Sequence, residues 1–426
     1  MQKSGLLLAM IVAAAALGAA SPQAQEGRTA AAKAALCAPA GCGEVSSGRH
    51  KARKARKSRS AKRPAATQPP PKQEAVERTP YTEQDAAAAI VPGLPDVRFF
   101  ADSVGAFAEA LPRERGPWLL LSSGGSSGAY GAGVLVGMSE AGKRPDFSVV
   151  TGVSIGAVMS PYVFLGTKYD DVLRDSFLTL TSADVFEDAS RADSLVDTWP
   201  LKDLLVKRVT PELLADIAAE HRKGRRLFVV TADLDSERAV VWSMGAIADH
   251  GGEAGLKLFR QVLLAASAIP GVFPPVYIDV EANGKKFQEM HADGGVFGPF
   301  FAGPPSWLIE AASDPLPVSD FYVILHTKLV PEFDVTAGEK IFILGKTISA
   351  AVKSGAQAEL ALLSAAAKRD GIGLNVAYVD SSFRQPAQTT FDQKQMTALF
   401  ELGREQGKNG TAFHSQNPRG EAQTKQ

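Results

Sequence analysis

Four short runs constrain this chain more than any other feature: 118–121 (Trp-Leu-Leu-Leu), 227–231 (Leu-Phe-Val-Val-Thr), 321–325 (Phe-Tyr-Val-Ile-Leu) and 374–379 (Leu-Asn-Val-Ala-Tyr-Val). Each has strand length and is apolar almost continuously rather than at every second position. A strand of that kind must be covered on both faces, which is the situation of a parallel sheet between two helical layers. Helix-length segments separate the runs, at 128–140, 157–165, 253–268, 340–368 and 391–406, the last with Asp392 near its start. The expected fold class is therefore α/β: a three-layer α/β/α sandwich with a mostly parallel central sheet. Three further expectations are more local. Residues 239–242 pair antiparallel with 227–231 across Asp235-Ser236-Glu237. Residues 98–111 form a helix, because Phe99, Phe100, Val104, Phe107 and Leu111 recur at helical spacing. Residues 287–290 form a strand leading into Asp293.

In such sheets, sites form at the carboxyl ends of the strands. One such end, after 149–151, reads Gly152-Val153-Ser154-Ile155-Gly156 and runs into a helix. A G-x-S-x-G placed between strand and helix is the layout of a nucleophile elbow, which lifts a serine hydroxyl clear on a sharp turn. Gly152 and Gly156 keep Cβ atoms away from that turn, tolerating its backbone and admitting a substrate. The five-residue pattern has little weight alone, and Gly124-Gly125-Ser126-Ser127-Gly128 is a second literal match behind another strand. Only one of the two can be the elbow.

The second match sits in Ser122-Ser-Gly-Gly-Ser-Ser-Gly128, a strand-to-helix loop whose backbone N–H groups lie at the positive end of a helix dipole. A dinucleotide fingerprint needs G-x-G-x-x-G, whereas the glycines here run Gly128, Gly131, Gly133, Gly137, and no acidic residue ends the next strand. A Walker loop needs Gly-Lys-Ser/Thr, which is absent. An oxyanion hole needs only N–H groups beside a nucleophile, and this loop fits that need best, through Gly124, Gly125 and Ser126. Asp293, in His291-Ala-Asp-Gly-Gly-Val296, is a carboxylate with little bulk around it. It reads either as a turn aspartate or as the base that takes the Ser154 proton.

These residues together resemble a known family. The Gly124–Gly128 loop with its helix, Gly152-Val-Ser-Ile-Gly156-Ala, Asp293-Gly294-Gly295, Ala266-Ser-Ala-Ile-Pro-Gly-Val-Phe-Pro-Pro275 and Thr231-Ala-Asp-Leu-Asp235 occur in the order found in bacterial patatin-like phospholipases. The resemblance spans about 90–405. It implies lipid acyl-ester hydrolysis by a Ser–Asp dyad, with Ser154 as nucleophile, Asp293 as base, and the Gly124, Gly125 and Ser126 N–H groups as the oxyanion hole. Gly128, Gly152, Gly156, Gly294 and Gly295 support these motifs. It also resolves the duplicate match, since Gly124–Gly128 becomes the oxyanion loop. The chain departs from the family pattern G-G-G-x-Arg/Lys-G at two places: Ser123 replaces the first glycine and Ser127 the basic residue. No cofactor or metal is implied, and the six histidines (50, 221, 250, 291, 326, 414) show no metal-ligand pattern. Two alternatives stand beside this reading: a Ser-Asp-His triad esterase using His326, and a non-catalytic relative that binds lipid at the envelope.

The N-terminus adds a destination. Lys3, the apolar stretch 6–17 and the small residues at 18–20 or 22–24 form a signal peptide over 1–20, cleaved there or at 24, which implies export to the periplasm, the envelope or the medium. Cys37 and Cys42, the only two cysteines, suit an oxidising compartment and have the option of a small disulfide loop. Residues 21–85 lack the apolar content to offset ordering and read as a disordered basic, Pro-rich linker. The zero net charge hides this arm: 1–85 carry 14 Lys/Arg against 6 Asp/Glu, the rest 32 against 40. The basic run 49–63 serves as a solvated tether or docks electrostatically on anionic lipid; without interleaved aromatics, no nucleic-acid partner is expected. The hydrolase domain is expected over 86–410, followed by a disordered tail, 411–426.

Overall fold

A computed structural model describes residues 77–416, apart from 189–192, 311–314 and the single positions 334, 337, 339, 386, 388 and 389. The signal peptide, nearly all of the linker with its basic run, and both cysteines lie outside the described residues. The strands are β1 (Arg98–Phe100), β2 (Gly116–Leu121), β3 (Val149–Val153), β4 (Arg226–Asp233), β5 (Arg238–Ser243), β6 (Val276–Ala282), β7 (Lys285–Asp293), β8 (Val318–Leu325), β9 (Gly373–Tyr378) and β10 (His414–Gln416). Interleaved with them are α1 (Glu83–Ala87), α2 (Val104–Ala110), α3 (Gly128–Glu140), α4 (Ile155–Phe164), α5 (Asp170–Leu178), α6 (Trp199–Arg208), α7 (Pro211–Arg222), α8 (Met244–His250), α9 (Gly252–Ala266), α10 (Pro305–Ile309), α11 (Lys340–Arg369) and α12 (Gln393–Asn409).

The strand order is β1-β5-β4-β3-β2-β8-β9-β10, with the β6–β7 hairpin attached to β4. The five central strands, β4 to β9, pair in parallel, and antiparallel pairing is confined to the flanks. Alternate residues feed two cores. Leu119, Leu121, Val150, Leu227 and Val229 pack under α3, α4 and α9, while Trp118, Leu120, Val149, Phe228 and Val230 pack under α2 and α11. The expected three-layer sandwich is what forms, and consecutive apolar residues in the strands are explained by burial on both sides.

Three local expectations change. Residues 98–111 are not one helix: 98–100 form β1 along β5, because an open edge at 240–242 accepts them, and only 104–110 coil. Residues 78–85, expected in the linker, pack on the folded body. Thr82 caps α1 with a reciprocal capping box, and Arg78 and Tyr81 both donate to Asp235. The C-terminal tail is not wholly disordered either, since 414–416 add β10 to β9. The strand expected at 287–290 is the middle of β7, whose partner β6 is joined to it through Asn283-Gly284, both at positive φ. That Asn-Gly pair is a hairpin signal.

The glycines of α3 do not hold a nucleotide. A Cβ on Gly133 or Gly137 would lie 2.0 Å from the carbonyls of Phe400 and Arg404, and α12 answers with Gly403 and Gly407 against Tyr130 and Val134. The two helices pack backbone to backbone, which anchors the helix behind the Gly124 loop. Among the described residues, no helix is long and apolar enough to cross a membrane.

Candidate active site

The site lies at the carboxyl ends of β2, β3 and β7. β3 ends at Val153, and Ser154 follows with φ 56° and ψ −124° before α4 begins at Ile155. A serine held at such angles stores on the order of 1–3 kcal/mol of strain, carried by the fully buried strand on one side and the helix on the other. Gly152 and Gly156 make the turn possible, though not by admitting substrate. A Cβ on Gly152 would lie 2.4 Å from the Gly156 carbonyl oxygen, and one on Gly156 would lie 2.4 Å from that of Leu121. Backbone packs on backbone at both, so the elbow can nestle against the end of β2. Further along α4, Pro161 removes the N–H that would bond Ala157, and the Ser160 hydroxyl donates to that carbonyl at 2.9 Å instead.

The neighbouring loop, 122–127, turns through Gly124 (φ 154°) and Gly125 (φ 55°) into a 3-10 turn, Gly125–Ser127, that leads straight into α3. The N–H groups of Gly125 and Ser126 open that turn and therefore have no partner within it. Gly124 is required sterically as well as conformationally, because a Cβ there would strike His326, 2.4 Å from its Cβ. Gly128 likewise leaves room for Ile155, the residue after Ser154. Gly125 and Ser154 line one cavity together.

Asp293 closes β7, opposite Thr231 of β4, with its own N–H donated to the Ala268 carbonyl at 2.9 Å. Its Oδ1 accepts the Gly295 N–H at 2.8 Å, and its carboxylate accepts a hydrogen bond from the Ser154 side chain. Gly294 packs on β4, where a Cβ would lie 2.5 Å from the Val230 oxygen. Burial pushes the Asp293 carboxyl up to about 6, against the pull of its bonds to Ser154 and Gly295. No cation is among the causes, so those two hydrogen bonds offset the desolvation only in part.

His326 is elsewhere. Its ring Nδ1–H donates to the Ser122 carbonyl at 2.7 Å and its backbone N–H to the Ser122 hydroxyl at 2.9 Å. Burial pushes this imidazole down to about 4, leaving it neutral, and its Nε2 faces α3 at Gly131 with no partner. The serine hydroxyl meets a carboxylate, and the histidine holds the Gly124 loop in place.

From Ser154 and Gly125 the cavity, roughly 210 Å³, extends between α4, α5, α6 and the segment 267–273. Its walls are mainly aliphatic and aromatic, including Val158, Met159, Phe177, Leu205 and Phe273. Helices α5 and α6 escaped the sequence reading, which passed from 165 to 227 without marking an element. Thr210-Pro211 before α7, a capping threonine with proline at the first helical position, was the available signal in that stretch. The aromatic residues after Asp293 do not line the cavity. Phe300, Phe301 and Trp307 pack around Phe107 on the opposite side of the sheet. Among the described residues, no three His, Cys, Asp or Glu side chains are grouped to hold a metal.

Residues 119–304, from β2 to just beyond the Asp293 loop, match the family model for patatin-like phospholipase. The chain thus contains a patatin-like phospholipase domain over those residues. It carries that family's lipid-hydrolase domain over the stretch that holds all of the motifs above. Among solved structures, VipD from Legionella pneumophila is similar at 12% identity, covering 72% of this chain and 68% of that one, with a TM-score of 0.31. The type III effector protein ExoU is also 12% identical, covering 72% of this chain and 55% of its own, with a TM-score of 0.25. No curated protein matches the chain. For this patatin-like domain, the segment 266–275 has a double task, tying down the Asp293 backbone through Ala268 and lining the cavity through Ser267, Ile269 and Phe273.

Proposed function

We propose that this patatin-like protein is a serine hydrolase that cleaves lipid acyl esters with a Ser154–Asp293 dyad. The observation that carries the reading is the Ser154 side chain hydrogen-bonded to a buried carboxylate held near pKa 6, at the mouth of an apolar cavity. A base in that range is ionised at neutral pH yet basic enough to take a proton.

In the first step the Ser154 oxygen bonds to the ester carbonyl carbon while its proton passes to Asp293. The carbonyl oxygen gains the electron pair and sits among the N–H groups of Gly124, Gly125 and Ser126. Collapse breaks the ester bond, and the leaving alcohol takes the proton back from Asp293. Water then adds to the acyl-enzyme by the same route, giving its proton to Asp293, and the acid departs as Ser154 is reprotonated. The cavity holds the acyl chain. Losing one oxyanion donor costs about 3 kcal/mol of transition-state stabilisation in comparable sites. The signal-like N-terminus and the basic run 49–63 support action after export, on or near an anionic membrane surface.

The test is covalent labelling by an organophosphonate ester. Wild-type protein should label once, and Ser154→Ala and Asp293→Asn should not label, with ester turnover falling on the order of 10⁴-fold or more in both. Equal labelling of Ser154→Ala and wild type would sink the assignment.

A further inference from the structure

The cavity has a direction and an end. Along α4 it is lined by Ser154, Ile155, Val158, Met159 and Tyr162, positions that recur on one face of the helix. It therefore starts at the hydroxyl and follows the helix for eight residues, roughly 12 Å at 1.5 Å per residue. Leu173 and Phe177 of α5 close one flank, and Leu201 and Leu205 of α6 the other, all four buried. Exposed residues of the lining, Thr179 and Asp184, mark the rim. The lining residue of α4 farthest from Ser154 is Tyr162, only 8% exposed, with its hydroxyl 3.5 Å from the Arg208 carbonyl and its ring 6.1 Å from that of Tyr169.

We infer that this cavity is a ruler for a medium-length acyl chain, with Tyr162 as the stop that determines specificity. An extended chain advances roughly 1.2 Å per bond, so about 12 Å accommodates an acyl group of about ten carbons from the carbonyl held at Ser154. Longer chains meet the Tyr162 ring, and shorter ones leave apolar wall uncovered, losing roughly fourfold in affinity for each methylene not buried. The substrate class that follows is esters of saturated acids near C10. The inference rests on the hydrolase reading but concerns chain length alone.

The experiment compares kcat/KM for p-nitrophenyl esters from C4 to C16 on the full chain, together with direct binding of saturated fatty acids from C6 to C18 by calorimetry. Wild type should peak near C10 and fall at least tenfold by C14. In Tyr162→Leu the C14-to-C10 ratio should rise at least tenfold, because the stop is shortened. Should Tyr162→Leu fail to fold, Met159→Trp, placed midway, supplies the opposite shift, with an optimum at least two carbons shorter. A flat chain-length profile, or ratios unmoved in both variants, would overturn the ruler even if Ser154-dependent turnover is intact. Absence of turnover with a C10 binding optimum that moves in the variants would sustain the ruler while refuting the hydrolase reading.

Discussion

Two carboxylates on one face of β7, four residues apart, are in opposite electrostatic states. Glu289 is fully buried, and burial pushes its carboxyl up. Hydrogen bonds from His291 and Arg98, and their charges, more than reverse that and hold it at about 2. Its chain of partners is complete: Arg98 donates to both oxygens, the His291 Nε2 lies 3.1 Å away, the His291 Nδ1 meets the Thr231 hydroxyl at 2.9 Å, and the Trp242 indole donates to that hydroxyl at 2.8 Å. Asp293 is almost as buried but has only a serine and one backbone N–H, and it rises to about 6. Beside Gly295, the Ser123 hydroxyl is also left without a partner. One end of the strand is a satisfied polar network; the other is an under-compensated carboxylate, the pattern expected of an acid–base group.

That contrast is breakable in several ways, and the largest effect belongs to the satisfied end. Glu289→Ala strands the buried Arg98 guanidinium and should destabilise the fold by about 3–5 kcal/mol, read by urea denaturation. An effect below about 1 kcal/mol would show that the network is not structural. At the other end the sign reverses. The Asp293 pKa is raised on folding, so the folded state holds its proton more tightly, and stability falls as pH rises from about 4 through about 6. Asp293→Asn should therefore stabilise the protein by about 3 kcal/mol at pH 8 and by nothing at pH 4, measured by melting at both. Glu289 has the opposite signature: its stabilisation is present above about 4.5 and is lost as pH falls toward 2.

Kinetics sharpen the same comparison. If ionised Asp293 is the base, kcat/KM should rise with pH through a single step near 6 and stand about tenfold below its plateau at pH 5. A step set by His326 would sit near 4 instead. Ser154→Gly should abolish turnover yet stabilise the fold by about 1 kcal/mol through relief of the positive φ, with melting temperature as the readout. The smallest effect is expected at His326→Asn. An amide can still donate to the Ser122 carbonyl, so turnover should stay within about threefold of wild type. A loss near 10⁴-fold would instead revive the triad.

Much of the fold was legible because its signals are local. Continuous apolar runs mean burial on both faces, and this held for β2, β4 and β8. Phe99 and Phe100 misled for the complementary reason: their spacing suits a helix, but an unpaired edge of β5 supplied hydrogen bonds that no local pattern announces. Ser154 and Asp293 stood out as short motifs around glycines. The function of those glycines did not, because Gly152, Gly156 and Gly294 each make room for a carbonyl, and two of those carbonyls belong to another strand.

The sequence by itself determined the layered α/β architecture, the identity of Ser154 and Asp293 as the reactive pair to test, and which Gly-rich loop accompanies them. Those features are written in strand patterning and turn chemistry, which depend on neighbours a few residues away. Only the tertiary structure decided that Asp293 lies buried against Ser154 without a cation, that His326 braces the loop instead of serving the serine, and that the apolar cavity beside Ser154 is walled by α5 and α6. Burial, desolvation and the length of a cavity arise between segments far apart in sequence, as Ser154 and Asp293 are, and have no local trace.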